Sequence, residues 1–176
     1  MSNELVRHLA EQLDFHWRAQ LRPRLDGLTD DEYFWEPVPD CWTVHADGGI
    51  AFSYPPPRPE PFTTIAWRMA HVIVGVLAVR NHSHFGGPPA DYGTWQYATD
   101  AATALDQLDQ AYGQWRDGVL GLDDAGLAEP CGPAEGPYAE ESMATLVLHI
   151  NREVIHHGAE IALLRDLYVH TTTKEN

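Results

Sequence analysis

Near the end of the chain, NREVIHHGAE at residues 151–160 sets a glutamate and two adjacent histidines inside a run that otherwise reads as a long buried helix. Burying an ionisable side chain is costly unless it is paired, hydrogen-bonded or bound to a metal. On a helical wheel, Leu146, Ile150, Val154, Ile161, Leu164 and Tyr168 fall within a sector of roughly 80°, the face that must meet other helices. His157 lies in the middle of that sector, and Glu153 sits at its edge one turn earlier, on the same side. His149 and His156 lie further round on the flank, with Glu160 between them and Glu153. The geometry selects Glu153 and His157 as the inward pair.

A facing helix offers one complement. His71, in WRMAHVIVG, is the only ionisable residue between Arg68 and Arg80 on a run with apolar neighbours on every side. A lone buried histidine ordinarily hydrogen-bonds a backbone carbonyl, and a Glu–His pair one turn apart is a common ion pair. Both features on inward faces of packing helices point instead to a divalent metal site built from His71, Glu153 and His157. Two histidines and one carboxylate suit Zn, Ni or Fe, with remaining positions open to water or substrate. A zincin helix is excluded, since HExxH needs histidine where this chain has Arg152. His8, His16, His45, His82, His84 and His170 lie in less useful places.

Other residues have two readings. Trp35, Trp42 and Trp67 line a substrate pocket near the metal, or anchor the core and loops. Arg68 and Arg80 bind a carboxylated substrate, or reach solvent at the ends of their helix. Cys41 reads as an inert thiol, with nothing nearby to lower its pKa.

Four helical periods must position these groups. The first runs from about Glu4 to Leu28, with Leu5, Leu9, Leu13, Trp17, Leu21 and Leu25 recurring every four residues, and Pro23 kinking or breaking it. A long aromatic and Pro/Gly-rich loop follows, pinned by Tyr33, Phe34, Trp35 and Trp42. The second helix runs from Thr63 or Thr64 to Asn81 with a threonine N-cap, the third from about Ala98 to Leu120, and the fourth from about Ser142 to Val169. Residues 171–176 form a tail. The expected fold is all-α, a four-helix bundle in one domain spanning residues 1–176, with a long crossover between helices 1 and 2.

The 176 residues carry a net charge of −15, and the ten Arg and one Lys form no cluster, which speaks against a nucleic-acid partner. No apolar run approaches a membrane span. The N-terminal stretch lacks the pattern of a signal peptide, and two isolated cysteines fit a reducing compartment, so the expected location is cytoplasmic. The apolar second helix is compatible with a homodimer.

The stretches RLDGLTDDEYFWEPVP, FTTIAWRMAHVIVG and LHINREVIHHGAEIALLRDLY together resemble the DinB-like superfamily of metal-binding four-helix bundles. That resemblance implies a divalent metal held by one histidine of the second helix, matched by His71, and two ligands a turn apart near the chain's end. Many members carry HxxxH there. Aligned without a gap, that motif puts Arg152 and His156 in the ligand positions, and Arg152 is a poor ligand. The alternative register, Glu153 with His157, resembles the ExxxH of mycothiol-dependent maleylpyruvate isomerase and agrees with the wheel, leaving His156 as a supporting residue or substitute ligand. The family relation further implies a low-molecular-weight thiol such as mycothiol as cosubstrate, and hence an S-transferase acting on a small molecule. The alternatives are a metal-dependent hydrolase, and a non-catalytic metal- or ligand-binding stress protein. The isomerase has an additional domain at its active site that has no counterpart in these residues.

Overall fold

The computed structural model describes residues 3–172. Four long helices account for most of them. The first, α1, joins Glu4–His16 to a π-helical turn, Trp17–Leu21, and a last turn, Arg22–Arg24. In the widened turn the Arg22 N–H donates to the Trp17 carbonyl five residues back. That width accommodates the Pro23 ring, which has no N–H to give. The helix stops at Arg24 rather than Leu28, so proline ends it within a residue. Leu5 points to solvent and Val6 takes the buried position.

Helix α2 joins Ile65–Ala70, the π-helical His71–Ala78 and Val79–Phe85. Thr64 caps it, its hydroxyl accepting from the Trp67 N–H at 3.2 Å. It runs four residues past Asn81, because the left-handed Gly86 (φ 68°) supplies the stop and the Gly87 N–H returns to the Asn81 carbonyl. Helix α3, Ala101–Leu120, starts three residues later than its periodicity suggests, where the Asp100 carboxylate accepts from the Thr103 N–H at 2.7 Å. Helix α4 is Met143–Thr172. Thr171 and Thr172 therefore continue the helix, and the rest of the expected tail lies outside the described residues.

Helix α1 packs on α3 and α4, and α2 packs on the same two. The core between them includes Leu13, Leu21, Met69, Ile73, Leu77, Leu108, Trp115, Ile150 and Ile161. The Trp17 and Tyr112 rings stack at 3.9 Å across α1 and α3. Short turns at Asp30–Tyr33, Asp124–Ala128 and Pro133–Tyr138 fill the connections. Arg165 of α4 grips Glu32 with two bonds, 2.5 and 3.0 Å, and fixes the first of these turns. The crossover from residue 36 to 63 lies along the start of α2, held by paired backbone at Trp42 and Thr63 and by the Trp67 indole donating to the Ala51 carbonyl at 2.7 Å. No helix among the described residues is long and apolar enough to cross a membrane.

Candidate metal centre

Helices α2 and α4 bring His71 and His157 edge to face, ring centroids 4.7 Å apart. Each imidazole is steered through its Nδ1. His71 Nδ1 lies 2.7 Å from the Tyr92 hydroxyl, and His157 Nδ1 lies 2.7 Å from Glu160 Oε2. The Nε2 of His157 faces Glu153 Oε2 at 3.6 Å, while the Nε2 of His71 has no hydrogen-bond partner among the described residues. Outer partners that fix imidazole orientation in this way are what metal-ligating histidines use.

The surroundings of the two histidines differ. His71 opens the π-helical stretch of α2, and such widened turns recur at functional sites. Trp67 stacks on it at 5.5 Å. Trp42 lies 5.9 Å from Trp67 and 6.2 Å from Phe52, and Phe52 stacks on Tyr92 at 5.8 Å, so an aromatic wall backs the ring. Burial first, then the neighbouring His157 and Arg68, push the His71 pKa down to about 4, against the opposing pull of Glu153 and Glu160. It is a neutral imidazole at pH 7. Burial alone would raise the Glu160 carboxyl; the bond from His157 and the charge of Arg68, 3.3 Å away, outweigh it and hold it below the ordinary range.

Of the residues expected from sequence, His71, Glu153 and His157 stand side by side here. Trp42 and Trp67 join them. Trp35 does not: it packs edge-on against Tyr168, 5.7 Å away at the far end of α4. His156 is exposed, its Nε2 3.3 Å from Glu160 Oε1. Among the described residues one trio has its ligand atoms mutually within 4.8 Å, and it is His156, His157 and Glu160. Glu160 is thus a residue that wheel reasoning passed over, because an i to i+3 reach on the flank brings it to His157.

Tyr92 was also missed, lying in a loop with no periodicity. A signal existed in Gly75, a glycine in the middle of an apolar helix. A Cβ there would stand 1.6 Å from the Tyr92 hydroxyl oxygen, so only glycine lets the phenol reach His71.

The family model of the DinB superfamily matches residues 12–161, most of the chain, including all of α2 and the part of α4 that carries the cluster. The chain belongs to the DinB superfamily. No curated protein and no solved structure matches it. Membership in the DinB superfamily, together with the all-helical fold and a His/Glu cluster between α2 and α4, places the cluster first among the places to look for a divalent ion.

Proposed function

We propose that this DinB-superfamily protein is a divalent-metal-dependent enzyme, with His71, Glu153 and His157 holding the ion, and that it activates a low-molecular-weight thiol for S-transfer to a small electrophile. The observation that carries the reading is the pair of imidazoles from facing helices with both Nδ1 atoms anchored and a carboxylate at the Nε2 side of His157. Two neutral nitrogens and one carboxylate oxygen fit Zn, Ni or Fe. When bound, such an ion is a Lewis acid that lowers the pKa of a thiol or water at its open position.

The chain's own residues supply the rest. Tyr92 and Glu160 hold the two rings in place. The wall of Trp42, Trp67 and Phe52 keeps water from one side of His71, which preserves its neutral form. Arg68, beside Glu160, balances the local negative charge. The mutual closeness of His156, His157 and Glu160 favours a competing ligand set on the Nδ1 side of His157.

Elemental analysis of protein purified without a metal-affinity tag separates these. About one ion per chain is expected in the parent, lost in His71→Ala and His157→Ala but kept in His156→Ala. Loss in His156→Ala with retention in His71→Ala would move the site to the flank. A parent that takes up no Zn or Ni on soaking would refute a metal centre. With the ion bound, added thiol is expected to raise the melting temperature; no rise with any thiol tried would favour water as the nucleophile and a hydrolase.

A further inference from the structure

A second feature lies one to two turns along α4 from the histidines. A cavity of about 780 Å³ opens between the end of α2, the Pro133–Tyr138 turn and the first turns of α4. That volume is in the range used by small-molecule sites. Leu146, Leu148, Pro137 and Tyr138 give it apolar walls, while Arg80, Glu135, Glu141, His149 and Arg152 contribute charge and polarity.

Arg80 has donors to spare. Its Nη1 donates to the Gly75 carbonyl and its Nη2 to Glu135 Oε2 at 3.2 Å, and its Nε–H is buried with no partner among the described residues. A guanidinium carries five N–H groups. Glu135, by contrast, has both oxygens engaged, Oε2 by Arg80 and Oε1 by His84 at 2.9 Å. The unsatisfied capacity in the enclosed part is therefore cationic. Arg152 adds a second guanidinium at the exposed edge, and Glu141, also exposed, repels an anion only through screening water.

We infer that this cavity binds a small carboxylate with an apolar body, its carboxylate on Arg80 and its body along Leu146 and Tyr138. Arg152 and His149 line the cavity and also approach Glu153 Oε1, at 3.4 and 3.7 Å, so the cavity adjoins the histidine cluster. Binding here needs no ion at His71 and His157.

The test uses chelator-treated protein and two probes of one shape, 3-phenylpropionate and 3-phenyl-1-propanol, followed by titration calorimetry. The acid is expected to saturate one site per chain and to bind about tenfold tighter than the alcohol, the difference one charge-assisted hydrogen bond makes. Thr145→Trp, which places an indole at the cavity wall, abolishes binding of both. Arg80→Gln reduces the acid to the level of the alcohol. If that variant fails to fold because it also releases Glu135, the acid–alcohol comparison in the parent decides alone. No saturable binding of the acid, equal binding of both probes, or binding indifferent to Thr145→Trp would each overturn the inference. A parent that never takes up metal would refute the proposed centre and leave this inference standing.

Discussion

Two clusters in this molecule combine histidine, carboxylate and arginine, and they are built to opposite ends. At the end of α2, Arg80 and His84 take both oxygens of Glu135, with the His84 and Glu135 side chains only 5% and 8% exposed. Every strong acceptor there is answered by a donor. Between α2 and α4, His157 sits between two carboxylates, Glu153 and Glu160, that are 28% and 34% exposed, and His71 beside it keeps its Nε2 open. The first has no acceptor left over and ties a turn to a helix, its spare capacity being donors on Arg80 alone; the second leaves a nitrogen lone pair for a further atom. The same residue types therefore say little until each lone pair and each proton has been traced.

Exchanging roles breaks the comparison most sharply. Glu153→Ala is expected to weaken metal binding at least a hundredfold in chelator competition, while leaving the stability of the metal-stripped protein within about 0.5 kcal/mol, as for a part-exposed carboxylate. Glu135→Ala should do the reverse, costing about 3 kcal/mol in denaturant unfolding by leaving Arg80 and His84 without their partner, with metal affinity unchanged. A metal defect in Glu135→Ala would show that the two clusters are not independent.

A smaller effect probes how the open cluster is held. Tyr92→Phe removes the oxygen on His71 Nδ1 and should weaken metal affinity about tenfold, the scale set by outer partners of ligating histidines. Affinity equal to the parent would mean that packing against Trp67 suffices to orient the ring.

Next comes pH. In the fold His71 takes up its proton near pH 4, against 6.5 for the free side chain. The unfolded chain binds that proton first, so the metal-stripped protein is expected to lose stability as pH falls from about 6.5 toward 4, with no further loss from this group below that. Glu135 adds to the decline on the acid side, since its folded pKa is depressed and its contribution disappears as pH drops through that lower value. Urea midpoints of His71→Asn measured across this window should show a flatter slope; an unchanged slope would assign the proton elsewhere. The smallest effect belongs to Trp35→Ala, which should leave metal affinity untouched because that ring packs on Tyr168.

The four helical spans were legible because apolar residues recur at the helical period over long stretches, and the buried position of His157 followed from the same wheel. The helix ends were less so. Phe85 and Arg24 are set by Gly86 and by the Pro23 turn, local devices that a periodic pattern overruns. The two π-helical stretches left no trace in apolar spacing, since a widened turn alters register without altering composition. Tyr92 and Phe52 come from irregular segments, where chain order says nothing of which aromatic meets which helix. Trp35 and Trp42, seven residues apart in one loop, illustrate this: one reaches Trp67 beside the histidines and the other the far end of α4.

The π-helical run at His71–Ala78 also fixes an angular relation along α2. Residues before and after it face directions that a uniform α-helix of the same length would not allow, since each wide turn holds more than the usual 3.6 residues. One extra residue in a regularly wound helix turns everything beyond it by about 100°, and a widened stretch absorbs that turn. Deleting one residue within it, such as Val76, is therefore expected to restore regular winding with Arg80, Asn81 and His84 still facing their partners, whereas inserting one more would swing them away while the histidine pair stayed in place. The widened run is thus a phase setting, and a deletion there should be better tolerated than an insertion.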